Sequence, residues 1–210
     1  AHEVKNPLTP IKLSAERIER KYKEKDFNNE ELSKLTKTIS KQVDDIGKLV
    51  DEFSSFARMP KPEMKQDDFN ETITESYNLF KNAHTNINFK INSYNKNIFF
   101  QFDKFQLTQA FNNLIKNAVE AVDNIPNPSI NIVYYINNYK LFIEFIDNGI
   151  GVDNAKITKF FEPYYTTKAK GTGLGLSIVK KIIEDHKGVI KIEKNSEQTG
   201  SKITLIFNIE

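Results

Sequence analysis

The chain has 210 residues, enough for one large domain or two modest ones, and its 39% hydrophobic residues include sixteen phenylalanines that can build a core. Thirty basic and 28 acidic residues leave a formal net charge of +2, so the composition offers no electrostatic case for nucleic-acid binding. The absence of cysteine excludes disulfides, thiolate catalysis and cysteine-ligated metals. No apolar run approaches the roughly 18 residues of a membrane span, so no spanning helix is expected within the sequence.

Residues 1–58 carry the spacing of two amphipathic helices. Apolar residues recur at alternating steps of three and four over residues 1–22, and the spacing resumes over residues 32–56. Turn-prone residues between these stretches predict an antiparallel helical hairpin. A second apolar row widens the stripe of the second helix and consists of Val43, Val50 and Ala57. One partner helix cannot cover so wide a stripe, which favours a homodimer whose two hairpins form a four-helix bundle; a monomeric hairpin packed on the rest of the chain is the alternative.

A proline-containing segment, residues 59–65, is predicted to link the hairpin to a second domain at residues 66–210, because proline cannot continue a helix. Apolar runs predict strands at residues 87–91, 98–102, 130–136, 141–147, 189–194 and 202–208. Periodic patterns predict helices at residues 70–81, 103–123 and 173–185. Strand hairpins mixed with helices indicate an α+β fold, here an α/β sandwich whose sheet is antiparallel in large part.

The predicted helix over residues 103–123 begins with Asp103 and, three residues on, Gln106, a spacing typical of a helix start. Asn113 and Asn117 are four residues apart and therefore share one side of this helix. Two neutral amides can bind a hard cation such as Mg²⁺ through their oxygens, with triphosphate oxygens and water as the other ligands. Asparagine pairs are also common on ordinary helix surfaces, so this pattern alone leaves both interpretations open.

Two glycine-rich segments follow along the chain. In Asp147–Gly151 the glycines allow a sharp turn and close approach to a ligand, and the Asp147 carboxylate can accept a hydrogen bond from an amine; an ordinary Asp-Asn-Gly turn is the alternative. Gly171–Ser177 opens a predicted helix, where free N–H groups and the helix dipole favour phosphate. Its spacing matches neither the dinucleotide fingerprint nor a Walker P-loop. The polar stretch between the two segments has the length typical of a functional lid, and a disordered loop is the alternative.

Six motifs, taken in order, resemble the H, N, first glycine, F, second glycine and third glycine boxes of two-component sensor histidine kinases. They are Ala1–Leu8, Asn112–Ala118, Asp147–Gly151, Phe160–Tyr164, Gly171–Leu176 and Thr199–Gly200. The resemblance spans essentially the whole chain. The Leu-Thr-Pro-Ile sequence after the H box and the Asn-Ala-x-Glu-Ala form of the N box are most similar to the nitrogen-regulation, NtrY-type subgroup.

The resemblance implies that residues 1–58 are a dimerisation and histidine-phosphotransfer hairpin and that residues 66–210 are an ATP-binding domain of the gyrase, chaperone, histidine kinase and MutL type. It implies ATP and Mg²⁺ as cofactors, with Asn117 as the metal ligand and Asn113 near the phosphates. Asp147 would bind the adenine amine. The other implied cofactor-binding residues are Gly149 and Gly151 at the adenine, and Lys168, Gly171, Thr172, Gly173, Leu174 and Gly175 at the phosphates. Glu120 stands where many kinases of this family carry a basic residue, so no phosphate contact is expected there; whether Lys116 replaces that contact stays open at this point.

His2 is, by the same resemblance, the residue that becomes phosphorylated. It falls just off the apolar stripe and is expected to face solvent; a histidine packed in the core is the alternative. Neutral imidazole is a competent nucleophile near pH 7 because its unperturbed pKa is about 6.5. Glu3 would accept or orient the proton on one ring nitrogen while the other attacks the γ-phosphoryl group. Asn6, four residues on, would position water for dephosphorylation of a partner.

We therefore expect autophosphorylation of His2 from Mg-ATP, followed by transfer to an aspartate in the receiver domain of a response regulator. One alternative is an ATPase of the same superfamily, which is disfavoured because Asn113 stands where chaperone-type ATPases keep a water-activating glutamate. The other is a dimeric nucleotide-binding scaffold that transfers no phosphate. The resemblance also implies the cytoplasmic region of a bacterial inner-membrane-anchored sensor, with any membrane segment outside the given sequence and with no nucleic-acid partner.

Overall fold

The computed structural model describes residues 2–25, 28–57, 59–95, 97–166, 173–195 and 199–209. The chain divides into two compact units at the bond between Met59 and Pro60. None of the helices in these described ranges is long and apolar enough to cross a membrane.

The first unit is the predicted helical hairpin, formed by α1 (His2–Glu24) and α2 (Asn29–Ala57). Asn28 caps α2, since its Oδ1 accepts a hydrogen bond of 2.9 Å from the backbone N–H of Glu30. Across the hairpin, Glu31 lies 3.5 Å from the Lys21 ammonium and also pairs with Arg17. The prediction of two antiparallel amphipathic helices is confirmed.

The second unit contains the strands β1 (Lys65–Asp68), β2 (Asn88–Ser93), β3 (Phe99–Phe102), β4 (Ser129–Asn137), β5 (Lys140–Asp147), β6 (Val189–Lys194) and β7 (Ser201–Asn208). Its helices are α3 (Phe69–Ala83), α4 (Lys104–Ala121) and α5 (Gly175–Asp185), with a 3₁₀ helix at Asn154–Phe161. Five strands form one sheet in the order β2-β4-β5-β7-β6, and β1 pairs with β3. Only β2 and β4 are parallel among the described pairs, so the prediction of a largely antiparallel sheet is confirmed.

The core lies between one face of the sheet and the helices, because alternate strand residues and the apolar stripes of the helices point to the same side. Along β4, Ile130, Ile132 and Tyr134 are buried, at 0 to 4% exposure. Helix α4 contributes Phe111, whose ring lies 6.0 Å from that of Phe145 on β5. This packing fixes α4 against the strand that ends in the Asp147 segment.

Strand β1 and the polar stretch before α5 differ from the sequence prediction. Strand β1, Lys65–Asp68, overlaps the end of the predicted linker; its residues are all polar, and it is a strand because it pairs with β3 and not because of an apolar pattern. The polar stretch predicted as a lid contains the 3₁₀ helix. Within this stretch the Phe160 ring lies 5.5 Å from that of Tyr165, and the Lys180 ammonium of α5 lies 5.9 Å from the Phe161 ring.

Helix α5 begins two residues later than predicted. Gly173 has φ of +69°, a conformation that no right-handed helix contains, so the helix cannot include it. The start of α4 agrees with the prediction, since the Asp103 side chain accepts a hydrogen bond of 3.0 Å from the Gln106 backbone N–H. The sequence therefore predicted the capping residue of α4, but it did not predict that α5 begins only after Gly173.

Candidate nucleotide-binding site

The asparagine pair of α4 lies against the first turn of α5. A β-carbon added at Gly175 would lie 3.8 Å both from Asn113 Oδ1 and from Asn117 Nδ2, which places both amides beside this residue. Leu174, the residue before α5, is fully buried and makes no side-chain cap. The positive end of a helix dipole and two amide side chains thus meet at one point, an arrangement suited to an anion and its accompanying cation.

Asp147 ends β5 and is 5% exposed. Its Oδ1 accepts hydrogen bonds from the backbone N–H groups of Gly149 at 2.9 Å and Ser201 at 3.2 Å, and its Oδ2 accepts from the Ser201 hydroxyl. These three donors offset the cost of burying the carboxylate. Because a carboxylate can accept about four hydrogen bonds, Asp147 retains the capacity to accept one from a ligand amine.

Glycines allow the segment after β5 to contact two other backbones. A β-carbon at Gly149 would lie 2.6 Å from the carbonyl carbon of Ala121 at the end of α4. One at Gly200 would lie 2.7 Å from the carbonyl carbon of Asp147, and Gly200 has φ of +128°. Gly151 has φ of +75°, and a β-carbon at this position would lie 3.0 Å from the Gly200 carbonyl oxygen. The Asp147 segment is therefore enclosed between α4 and the start of β7 by contacts that tolerate no side chain.

Gly173 joins the end of the lid stretch to the start of α5. Its carbonyl accepts a hydrogen bond of 3.1 Å from the Tyr164 N–H, and a β-carbon here would lie 2.8 Å from Tyr164 Cα. Lys168, Gly171 and Thr172, which were predicted to border the phosphates, lie outside the described residues.

On the hairpin, His2 and Glu3 belong to α1, and their side chains lie outside what the structure describes. Asn6 is exposed on the same helix. Within the second unit, the predicted residues that come together are Asn113, Asn117 and Gly175 at one place, and Asp147, Gly149 and Gly151 at another.

Sequence reasoning missed Ser201, which donates two hydrogen bonds to Asp147. A serine directly after the Thr199–Gly200 motif was the available signal, but serine is too common for its partner to be inferred. Among the described residues there is no group of three or more His, Asp or Glu side chains that could hold a metal ion. A cation at this site would therefore depend on amide oxygens and on oxygens of the bound ligand.

His186 is a second residue that the sequence did not single out. It is 9% exposed and lies just after α5, where its Nε2 accepts a hydrogen bond of 3.0 Å from the Asp103 N–H and its Nδ1 lies 2.8 Å from the Ile182 carbonyl oxygen. Since an N–H faces Nε2, the neutral tautomer with hydrogen on Nδ1 satisfies both contacts. Burial lowers the pKa of His186, although the Ile182 carbonyl, Asp103 and Asp185 act in the opposite direction.

We expect the stability of the chain to fall as the pH is lowered below about 6.5, the usual imidazole pKa, because the unfolded state takes up a proton that folded His186 resists. The contribution of neutral His186 to the free energy of unfolding is fully present above that pH. It is lost progressively as the pH falls toward the lowered pKa of His186 in the folded state. Thermal unfolding between pH 7.5 and 5.0 measures this loss, because each kcal/mol of unfolding free energy shifts the melting temperature by about 2–4 °C. His186→Gln, which cannot titrate, should show a flatter pH dependence; parallel curves would contradict the assignment.

Comparison with known proteins defines the class to which this fold and site belong. The family model of the histidine kinase-, DNA gyrase B- and HSP90-like ATPase matches residues 102–210, and that of the His Kinase A (phospho-acceptor) domain matches residues 1–62. The chain belongs to the sensor histidine kinase family. The family resemblance seen in the sequence is confirmed.

The relatives place the chain near the nitrogen-regulation proteins within this family. Nitrogen regulation protein NtrY of Azorhizobium caulinodans is 41% identical over 216 residues, which cover all of this chain and 28% of that protein. A putative NtrY-like sensor histidine kinase of Rickettsia bellii is 36% identical, over all of this chain and 34% of that protein. The chain thus spans about a third of the length of these curated relatives.

Solved structures agree with the fold. The histidine kinase ThkA, in a complex with the response regulator protein TrrA, has a TM-score of 0.76 at 25% identity and covers all of this chain and 60% of its own. The catalytic domain of ThkA alone has a TM-score of 0.64 at 33% identity, covering 70% of this chain and 96% of its own. The predicted fold class, a helical hairpin followed by an ATP-binding α/β sandwich, is confirmed.

Proposed function

We propose that this chain is an ATP-dependent protein-histidine kinase that phosphorylates His2 from Mg-ATP and passes the phosphoryl group to an aspartate of a response regulator. The observation that carries the proposal is the meeting of Asn113 and Asn117 with the uncapped N-terminus of α5. A helix N-terminus binds phosphate oxygens through its N–H groups, and neutral amides bind the cation that accompanies a triphosphate.

In this proposal Asp147 binds the adenine amine, since the carboxylate is held in place by its own donors and can accept one further hydrogen bond. Gly149 and Gly151 shape the pocket through their backbone contacts. Asn117 is the protein ligand of Mg²⁺, and Asn113 lies beside it. The remaining residues assigned to the phosphates are Lys168, Gly171, Thr172, Gly173, Leu174 and Gly175.

When bound, Mg²⁺ neutralises charge on the phosphate oxygens. The chain itself supplies the positions of the reacting groups, which is the main requirement of phosphoryl transfer. A ring nitrogen of His2 attacks the γ-phosphorus, the bond to the bridging oxygen breaks, and ADP leaves with the electron pair. Glu3 takes or holds the proton of the other ring nitrogen. The aspartate of the regulator then attacks the phosphorus, the P–N bond breaks, and imidazole is restored; Asn6 would position water that attacks the aspartyl phosphate of the regulator, breaking its P–O bond and releasing inorganic phosphate and free aspartate.

We further propose the domain limits 1–58 for the dimerisation and phosphotransfer hairpin, 59–65 for the linker and 66–210 for the catalytic domain. Support for a homodimer comes from large apolar side chains on the hairpin that are 47 to 70% exposed in the single chain, namely Leu8, Leu13, Tyr22, Val43, Val50 and Phe53. A surface of this kind is costly in water, and a second hairpin would cover it. As a longer sensor, the protein would be anchored in a bacterial inner membrane with this region in the cytoplasm.

The proposal is tested by incubating the full chain with γ-labelled ATP and Mg²⁺. The expected product is labelled protein whose phosphate is lost in acid and retained in alkali, and whose label passes to an added receiver domain. Acid-stable label on serine or threonine would overturn the proposal. Steady phosphate release without protein labelling would favour the ATPase alternative, and nucleotide binding with neither reaction would favour the scaffold.

Asn117→Ala is expected to lower the rate of protein labelling by about 100-fold, because it removes the amide proposed to bind the cation. Labelling should be measured across a Mg²⁺ titration, where the variant requires a higher concentration than the wild type. Gln109→Ala is the matched control, since that side chain is half-buried on the same helix, eight residues before Asn117 and outside the N-box motif. Equal Mg²⁺ dependence of Asn117→Ala and the wild type would remove Asn117 from the metal site.

A further inference from the structure

The chain that leads into the catalytic domain is fixed to the start of α4 by two hydrogen bonds. The Gln106 side-chain Nε2 donates to the Pro60 carbonyl at 3.0 Å, and Asp103 Oδ2 accepts from the Glu63 N–H at 2.8 Å. Two residues later, Lys65 begins the pairing of β1 with β3 opposite Phe102. The segment Pro60–Glu63, here called the entry segment, is therefore attached within the second unit before its first strand begins.

The hydrogen bond from Gln106 to Pro60 involves an unusually buried amide. Gln106 is 2% exposed, and among the described residues its Oε1 has no hydrogen-bond partner. Exchanging the amide oxygen and nitrogen would bring two acceptors together at the Pro60 carbonyl, so the observed orientation is the only one that forms a bond. A buried amide with one unsatisfied oxygen costs free energy that an apolar side chain of the same length would avoid. The hydrogen bond from Gln106 Nε2 to the Pro60 carbonyl is the one interaction in the described residues that a buried amide makes possible here and an apolar side chain would not.

Asp103 extends the attachment to α5. Its Oδ1 caps α4 through the Gln106 N–H, and its own N–H donates to His186 Nε2 beyond the end of α5. Gln106 and Asp103 thus join the entry segment to the start of α4, and Asp103 also joins the start of α4 to His186 at the end of α5. Helix α4 carries Asn113 seven residues after Gln106, about 10 Å along a rigid helix, so the attachment and the nucleotide site share one body.

We infer that Gln106 is a positioning residue for phosphoryl transfer: it fixes the point at which the entry segment joins the catalytic domain. The inference rests on the proposed kinase function. Transfer to His2 requires the segment to deliver bound ATP to the hairpin, whereas ATP binding itself requires only the catalytic domain. Loss of the Gln106 bond should consequently slow transfer and leave nucleotide affinity unchanged, because Gln106 is remote from the residues assigned to the nucleotide.

The test compares Gln106→Met, a variant of equal length without the donor, with Gln109→Met, a half-buried glutamine one turn along α4 for which the described structure shows no hydrogen bond. For Gln106→Met we expect labelling from γ-labelled ATP about tenfold slower, with Mg-ATP affinity within about twofold of wild type. Hydrogen exchange of the peptide covering residues 59–66 should become faster. Asp103→Ser, which keeps a capping hydroxyl but is too short to reach both partners, should show the same pattern.

Labelling of Gln106→Met as fast as that of Gln109→Met would overturn the inference. So would a parallel loss of ATP affinity, because Gln106 would then belong to the nucleotide site or to the stability of the domain. If the wild-type chain itself acquires no label, the proposed kinase function is wrong, and hydrogen exchange then tests the attachment separately. Unchanged exchange at residues 59–66 in Gln106→Met would overturn the attachment of the entry segment. Faster exchange there would support it.

Discussion

His2→Gln is expected to abolish the acid-labile label, a loss of at least about 10³-fold, because glutamine retains polarity and length but has no nucleophilic nitrogen. Nucleotide binding should remain, since the residues assigned to ATP all lie after residue 66. The measurement is labelling from γ-labelled ATP alongside titration with Mg-ATP. Label that persists in His2→Gln would place the phosphorylated residue elsewhere.

The other two histidines make this result easy to interpret. The chain has three histidines in total. His186 cannot act as a nucleophile in the folded protein, because both ring nitrogens are engaged in hydrogen bonds and the ring is buried. His84 lies in the second unit, stacked on Phe80 with ring centroids 6.3 Å apart, and it matches no histidine kinase motif. His84→Gln is therefore the matched control and should label like the wild type.

Asn6→Ala separates transfer from hydrolysis in the same experiment. It should retain the label on His2, because the amide is assigned only to positioning water for the regulator. Dephosphorylation of a phosphorylated receiver domain should be slower with this variant. If the label on His2 is lost as well, the assignment of Asn6 to the hydrolytic reaction is wrong.

Gly200→Ala is expected to weaken ATP binding by about 100-fold and to lower stability by about 3 kcal/mol or more. The new methyl group would lie 2.7 Å from the Asp147 carbonyl carbon and 2.8 Å from Asn148 Cα, and φ of +128° is strained for any side chain. Both neighbours are backbone atoms, so no change of rotamer relieves the clash. The relief must come from displacement of Asp147, which is the residue proposed to bind adenine.

Gly47→Ala is the matched control for that substitution. Gly47 lies within α2, and a β-carbon there would meet nothing within 4 Å. Alanine is favoured over glycine in a helix interior by about 0.5–1 kcal/mol, so this variant should gain stability and bind ATP normally. Calorimetric titration with Mg-ATP and thermal unfolding distinguish the two variants. Normal ATP affinity in Gly200→Ala would show that the close approach to Asp147 is dispensable.

Features carried by a local pattern could be predicted from the sequence. The hairpin follows from apolar spacing, and the start of α4 follows from Asp103 and Gln106, which interact within one turn. Asn113 and Asn117 share a helix face because they are four residues apart, independently of the tertiary fold. The glycine segments could likewise be located, since glycine at the end of a strand or the start of a helix has a restricted set of uses.

Features that depend on distant partners could not be predicted. Strand β1 exists because β3 is beside it, and the parallel pairing of β2 with β4 leaves no trace in either sequence. Ser201 lies 54 residues from Asp147, and His186 lies 83 residues from Asp103. Each of these contacts involves a common residue type whose partner is set by the completed sheet. The sequence therefore indicated the residues proposed to contact the nucleotide better than the residues that hold them in place.

The hydrogen bonds between Asp147 and Ser201 have a consequence for the order of folding. Ser201 is the first residue of β7, and β7 inserts between β5 and β6 in the sheet. Until β7 has docked, the Asp147 carboxylate lacks two of its three donors and the sheet lacks an inner strand. Contacts of such high sequence separation form late, after the local helical hairpin. The carboxylate proposed to bind adenine is therefore held in place only after β7 has docked between β5 and β6.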